Sequence, residues 1–131
     1  MIKEIVLNCK NAYGKIDILV NIAGAIWRAP LLEYRDADWD AVIDINLNAV
    51  YFLSQEVAKV MAEQKSGKII NVASMLSFQG GKFIPPYTAS KHEVAGITKA
   101  FANEFRNMWF KLTQLHPGMW RRKIQHQFVQ M

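Results

Sequence analysis

The sequence predicts an α/β fold in which strand and helix segments alternate as βαβα. Two short β-branched apolar segments each precede a longer segment with apolar residues at helical spacing, and glycines stand at the junctions. The chain has 131 residues, of which 51% are hydrophobic and 21% are charged. This composition is typical of one globular domain with a hydrophobic core.

The first predicted strand runs from Ile16 to Asn21, between Gly14 and Gly24. Its residues are mostly apolar and β-branched, which predicts a strand buried on both faces of a parallel sheet.

A long helix is predicted from Trp39 to Gln64, because apolar side chains recur there at helical spacing. Asp36 or Asp38 is expected to cap its start, since a carboxylate accepts from free backbone N–H groups. Gly67 marks the end of the helical segment.

The second predicted strand is Lys68 to Ala73, and a loop from Ser74 to Pro86 follows it. A second helix begins near Pro86, since proline is tolerated in a first turn, and continues to Phe105. Two strands cannot form an independently stable parallel sheet with both faces covered. The sequence therefore resembles a piece of a larger α/β fold or a chain that needs a partner.

The formal net charge is +5, but the basic residues are unevenly distributed. Residues 1–106 carry 12 basic and 11 acidic residues, whereas residues 107–131 carry four basic residues and no acid. Charge patterning therefore does not predict nucleic acid as a partner, because the body of the chain is nearly neutral.

Cys9 is the only cysteine, which excludes an internal disulfide and a cysteine metal cluster, and no metal site is expected. No apolar segment reaches the roughly 18 residues that a membrane span requires. A reducing cytoplasm is the simplest location.

Tyr87 and Lys91 lie four residues apart on the second predicted helix, so they share one helix face. A phenol has a reference pKa near 10, and a nearby ammonium lowers that value toward neutral pH. The pair is thus a candidate general acid and base. The alternative is a half-buried tyrosine beside a surface lysine.

Two further polar residues add weight to this pair. Ser74 follows the second strand, at the edge where ligands bind in open α/β sheets. Asn46 interrupts an apolar stretch of the long helix. It either caps a kink or positions a water molecule, and the alternative is a satisfied core amide.

The chain is similar to the short-chain dehydrogenase/reductase family through four segments that keep the order and spacing of that family. They are Asn21-Ile22-Ala23-Gly24, Asn46, Ser74 and Tyr87-Thr88-Ala89-Ser90-Lys91. One departure is Ile22, where many members carry a second asparagine. The resemblance implies a Rossmann-like, doubly wound parallel sheet, of which this chain holds the central to C-terminal portion.

The resemblance also implies a catalytic tetrad of Asn46, Ser74, Tyr87 and Lys91. Tyr87 would exchange a proton with substrate while hydride passes to or from the nicotinamide. Lys91 would lower the pKa of Tyr87 and hold the nicotinamide ribose. Ser74 would bind the substrate oxygen, and Asn46 would support a proton-relay water.

The implied cofactor is NAD, with NADP not excluded. Its predicted contacts are Asn21, Ala23, Gly24, Tyr87 and Lys91. The segment from Gly67 to Gly81 resembles the sugar-acid dehydrogenases of the family, which implies a small keto-deoxy-gluconate-type substrate. The family's two long helices form a subunit interface, which implies a homo-oligomer.

The glycine-rich turn that binds the cofactor pyrophosphate in this family is absent, since the seven glycines form no such cluster. We therefore expect residues 1–106 to be a partial catalytic domain that lacks the N-terminal dinucleotide-binding half. Met1 is expected to be an internal start or a truncation point.

Residues 107–131 are expected to be a basic tail unrelated to the family. They contain no acid, two of the four tryptophans and four of the seven glutamines. Codons permitted by Gln114 to Arg121 can encode the family's sequence in the adjacent frame, so a frameshifted translation is predicted.

Activity of so short a chain is in doubt, and a non-catalytic alternative stays open. In that alternative, the chain is an interaction module that pairs with a full-length homologue through its helix faces.

Overall fold

Three parallel strands form the sheet in the computed structural model, which describes residues 1–106 and 110–115. They are β1 (Ile18–Asn21), β2 (Gly67–Val72) and β3 (Phe110–Leu115), arranged in the order β1-β2-β3. β2 pairs with both neighbours, and Asn21 of β1 lies opposite Asn71 of β2. This arrangement confirms the predicted α/β class with a parallel sheet.

Four α-helices accompany the sheet in the described residues. They are α1 (Ile2–Tyr13), α2 (Asp36–Ile43), α3 (Ala49–Gln64) and α4 (Pro85–Glu104). The sequence analysis did not predict α1. Its Val6 is buried in the same core cluster as Ile16 and Met61, and Gly14 ends the helix with a left-handed φ of 76°.

The predicted helix from Trp39 to Gln64 is divided in two by a π-helical turn at Asp44–Asn48. The capping prediction was wrong, because Arg35 is the N-cap of α2 and no side chain caps it. Asp38 instead accepts two hydrogen bonds of 2.7 Å from the Arg35 guanidinium. This pairing holds the pKa of the Asp38 carboxyl below its ordinary value, chiefly through the hydrogen bond.

The described helices cover one face of the sheet. Ile69 on that face is fully buried with α1 and α3, and Asn71 on the same face reaches α4. On the opposite face Ile18 and Val20 are exposed. The prediction that β1 is buried on both faces was therefore wrong for the described part of the chain.

The core lies between α1, α3 and the covered face of β1 and β2. Its buried members are Val6, Ile16, Val57, Ala58, Val60, Met61 and Ile69. Gly67 begins β2 with a φ of 151°. A Cβ atom there would collide with the Met61 side chain, so this position requires glycine.

Four buried polar side chains, which we name the buried amide network, join the sheet to its helices: Asn21, Ser54, Asn71 and Thr98. The Asn21 amide nitrogen donates to Ser54 Oγ at 2.9 Å and to Asn71 Oδ1 at 2.7 Å. Asn71 then donates to Thr98 Oγ1 at 2.9 Å. The network therefore connects β1, β2, α3 and α4 by side-chain hydrogen bonds.

The expected tail, residues 107–131, is described only at Phe110–Leu115, where the chain forms β3. The rest of that segment lies outside the described residues, so its unrelated origin and its frameshift stay predictions. Within the described ranges, no helix is both long and apolar enough to cross a membrane. Nor do His, Cys, Asp and Glu side chains gather there in threes as a metal site would need.

Candidate active site

The ends of β1 and β2 lie side by side, at the edge where ligands bind in open α/β sheets. Ala23 and Gly24 follow β1, and Ser74 follows β2. Because parallel strands end at the same edge of a sheet, these residues converge there. The N-terminal half of α4 packs over the same edge.

Lys91 is buried at this edge, with only 3% of the residue exposed. Its Nζ donates to the carbonyl of Val72 at 3.0 Å and to that of Ala23 at 3.3 Å. Burial lowers the pKa of Lys91 from its ordinary value, because the charged form is less well solvated there. The alternative of a surface lysine is therefore wrong.

Tyr87 stands one turn before Lys91 in α4 and is half-buried. The Lys91 Nζ lies 5.7 Å from the centroid of the Tyr87 ring, within the range of an attractive cation–π contact. Pro85 and Pro86 occupy the first turn of the helix, where a missing N–H costs no hydrogen bond. The predicted spacing thus places the ammonium beside the phenol ring.

Asn46 lies in the π-helical turn and is fully buried. Its Oδ1 accepts from the N–H of Ala25 at 2.7 Å, and its Nδ2 donates to the Ala25 carbonyl at 2.9 Å. A third bond of 3.2 Å runs from Nδ2 to Ser90 Oγ. Both amide hydrogens are thus engaged, which agrees with a satisfied core amide and leaves one Oδ1 lone pair for a water molecule.

Ser74 is the N-cap of a short 3₁₀ turn, Met75–Ser77. Its Oγ accepts from the N–H of Leu76 at 3.2 Å. A hydroxyl has one proton to donate, and this contact does not use it. The Ser74 hydroxyl therefore keeps its proton for an acceptor other than Leu76.

Two buried serines connect the four residues of the predicted tetrad in pairs. Ser90 receives the Asn46 bond and donates to the Tyr87 carbonyl at 2.9 Å. Ser77 binds the backbone of both Ser74 and Lys91. The sequence analysis assigned no role to Ser77 or Ser90, although Ser74-x-x-Ser77 has the spacing of a capping box.

The predicted cofactor contacts differ in their surroundings. The structure brings Ala23 and Gly24 to the Lys91 ammonium, and a Cβ atom on Gly24 would be 3.9 Å from Nζ. The Asn21 amide is instead directed into the buried amide network. Its predicted cofactor contact stays a prediction, as do the roles of the tetrad.

The residues present fit the ribose end of a nicotinamide cofactor. An ammonium has three donors, and the described residues supply acceptors for two of those on Lys91. A buried cation without a carboxylate partner in residues 1–106 favours a ligand rich in oxygen atoms. These residues do not include the glycine-rich turn for the pyrophosphate.

Comparison with known proteins identifies the family. The family model described as "short chain dehydrogenase" matches residues 1–131. The 2-dehydro-3-deoxy-D-gluconate 5-dehydrogenase of Escherichia coli is 50% identical over 107 residues, covering 81% of this chain and 42% of the relative. The Bacillus subtilis protein of the same name is 47% identical, covering 79% of this chain and 41% of its own length.

A solved structure agrees with this match. The gluconate 5-dehydrogenase of Burkholderia cenocepacia, in complex with NADP and tartrate, superposes with a TM-score of 0.83 at 34% identity. The match covers 88% of this chain and 45% of that structure. The fold is thus a partial Rossmann-like fold, and the chain spans less than half the length of these relatives. The chain belongs to the short-chain dehydrogenase family.

Proposed function

We propose that this chain carries the proton-transfer half of an NAD(P)-dependent oxidoreductase that interconverts an alcohol and a ketone on a keto-deoxy-gluconate-type sugar acid. The observation that carries the proposal is the buried Lys91 ammonium, held by two strand-end carbonyls beside the Tyr87 ring. The names of the similar proteins support the substrate class and the cofactor.

Tyr87 is the proposed general acid and base. Its ring lies 5.7 Å from the Lys91 ammonium, measured to the ring centroid. In the proposal, Tyr87 Oη exchanges a proton with the substrate oxygen.

Ser74 and Asn46 orient the reacting groups in this proposal. The Ser74 hydroxyl accepts from Leu76, so it donates its own proton to the substrate oxygen. Asn46 holds the Ala25 backbone through two hydrogen bonds and thereby fixes the segment that follows β1. Its remaining lone pair would hold a relay water.

The nicotinamide cofactor, when bound, supplies or accepts the hydride. Lys91 would hold its ribose through the third ammonium donor, with Ala23 and Gly24 forming the adjoining backbone wall. Tyr87 and Asn21 complete the proposed contacts, and either NAD or NADP is compatible with them.

The test is consumption of NADH and of NADPH by the purified chain in the presence of a 2-keto-3-deoxy sugar acid. Tyr87→Phe removes the phenol proton and is expected to lower turnover by about 10²-fold or more. Tyr13→Phe is the matched control, because Tyr13 is 79% exposed in α1. Turnover that survives Tyr87→Phe would refute the assignment of the general acid.

A second candidate function is a non-catalytic interaction module. Exposed apolar surface favours it: Phe52 on the long helix α3 exposes 49% of its surface, and Ile18 and Val20 on the uncovered sheet face expose 59% and 44%. Burying such a patch against a full-length homologue would stabilise both chains. Comigration with that homologue on size exclusion, without turnover by the chain alone, is the expected result for this candidate.

Partners and location follow the family in this proposal. A homo-oligomer formed through the two long helices is expected, and Phe52 of α3 exposes 49% of its surface. A cytoplasmic location fits the single cysteine. Nucleic acid is not an expected ligand, since the basic excess lies in residues 107–131.

A further inference from the structure

The turn that carries Ser74 is closed by a second serine. Ser74 and Ser77 form a reciprocal capping box around the 3₁₀ turn. The N–H of Ser74 donates to Ser77 Oγ at 3.2 Å, and the N–H of Ser77 donates to the Ser74 carbonyl at 3.0 Å. Backbone and hydroxyl bonds thus link Ser77 to Ser74 in both directions.

The same Ser77 hydroxyl also reaches α4. Its Oγ donates to the carbonyl of Lys91 at 2.6 Å, and Ser77 is 5% exposed. The Ser77 hydroxyl therefore donates its one proton to α4 and accepts a hydrogen bond from the turn. A single buried oxygen atom connects the backbone of Ser74 to the backbone of Lys91.

We propose that Ser77 is a positioning residue that fixes the Ser74 hydroxyl relative to the Tyr87–Lys91 turn of α4. The link is specific, because the residue at this position must accept from one backbone and donate to another through one short side chain. Alanine offers neither contact, whereas threonine retains the hydroxyl. The catalytic meaning of this position rests on the proposed function, while the mechanical link does not.

The link explains how a loop residue keeps one orientation. The turn lies on the loop that follows β2, and loops are more mobile than the elements that they connect. On one side Ser74 follows β2, and its hydroxyl and carbonyl accept from Leu76 and Ser77 within the turn. Its second anchor is the Ser77 hydroxyl, which accepts from the Ser74 N–H and donates to the Lys91 carbonyl of α4, so the distance between the Ser74 hydroxyl and the α4 side chains depends on that bond.

The experiment is solution NMR on the full chain and on Ser77→Ala and Ser77→Thr. Two quantities are measured at Ser74: the hydrogen-exchange rate of its amide, and the Hα–Hβ couplings that report χ1. In Ser77→Ala we expect Ser74 exchange to accelerate about tenfold, as for a lost hydrogen bond, and the couplings to average over rotamers. Ser77→Thr is expected to restore both values.

The matched control is Ser90→Ala. Ser90 is also a fully buried serine of this site, but its hydroxyl bonds to Tyr87 and Asn46 rather than to the turn. Exchange and couplings at Ser74 are expected to stay unchanged in this variant. A change at Ser74 as large as in Ser77→Ala would show general loosening and overturn the proposal.

Unchanged couplings and exchange at Ser74 in folded Ser77→Ala would also overturn the proposal. If Ser77→Ala does not fold, Ser77→Thr decides: native values at Ser74 support the link, and averaged couplings in the folded variant refute it. None of these measurements needs cofactor or turnover. The Ser74 measurements and the Tyr87→Phe assay are therefore independent, and either proposal can fail while the other stands.

Discussion

Replacing Thr98 with valine tests the buried amide network by deleting one hydroxyl while keeping the side-chain shape. Thr98 is 5% exposed. Its Oγ1 accepts from Asn71 at 2.9 Å and donates to the Val94 carbonyl at 2.6 Å. The Val94 carbonyl belongs to the helix and keeps its backbone partner, so the loss falls on the fully buried Asn71 amide.

The expected cost follows from that stranded donor. A buried N–H left without an acceptor costs about 1–3 kcal/mol, and the added methyl group of valine offsets only part of this. We expect Thr98→Val to lower the free energy of unfolding by about 1–2 kcal/mol. Urea denaturation followed by circular dichroism measures the change.

Thr88→Val is the matched control on the same helix. The Thr88 hydroxyl accepts from the N–H of Gly81 at 3.2 Å, in a loop where water can replace it. We expect a cost below about 0.5 kcal/mol, as for most surface substitutions. A Thr98→Val cost no larger than this would refute the idea that the Asn71 donor depends on Thr98.

Coupling inside the network gives a second criterion. Asn71→Leu removes the donor that Thr98→Val strands, so the double variant is expected to lose less than the sum of the two single variants. The difference should lie in the range of about 0.5–3 kcal/mol found for contacting residues. Strict additivity would mean that these two side chains act independently.

Three further predictions concern charge, backbone and surface. The pKa of Lys91 in the folded chain lies below its ordinary 10.5. Folding therefore releases a proton from Lys91 at high pH, and the free energy of unfolding rises as the pH approaches 10.5. Urea denaturation at several pH values should show this rise, and Lys91→Met should lose the contribution of Lys91 to it. Gly67→Ala should lower the free energy of unfolding by about 1–3 kcal/mol, because the added Cβ atom collides with Met61. Gly96→Ala should raise it by about 0.5–1 kcal/mol, because Gly96 has open space around it and alanine favours a helix. Equal effects of the two variants in urea denaturation would contradict this. Phe52→Lys should reduce self-association in sedimentation velocity, because Phe52 exposes 49% of its surface on α3, one of the two long helices of the proposed interface; unchanged association would refute that interface.

Periodicity predicted the elements that have their own local pattern. The strands at Ile18–Asn21 and Gly67–Val72 and the helix at Pro85–Glu104 lie where the sequence placed them. The α1 helix was missed although Ile2, Ile5, Val6 and Cys9 recur there at helical spacing; of its residues Val6 is the buried one. Its stability depends on packing with α3, which a local pattern does not contain.

Long-range contacts limited the prediction of the site. The Tyr87–Lys91 spacing follows from helix geometry alone, but the burial of Lys91 depends on carbonyls 19 and 68 residues away. Likewise, the direction of the Asn21 amide is set by Ser54 and Asn71. No periodicity encodes such partners, so the sequence indicated which residues matter but not which way they point.

The π-helical turn at Asp44–Asn48 divides one continuous stretch of chain into two helices with different phase. A widened turn holds one residue more than an α-helical turn, and each residue advances a helix by about 100°. The side chains of α3 are therefore rotated by roughly that angle from where a straight extension of α2 would put them. Deleting one residue in this turn would return it to an ordinary α-helical turn and leave α2 and α3 against their neighbours, so the expected loss falls on Asn46, whose amide holds the Ala25 backbone from the widened turn.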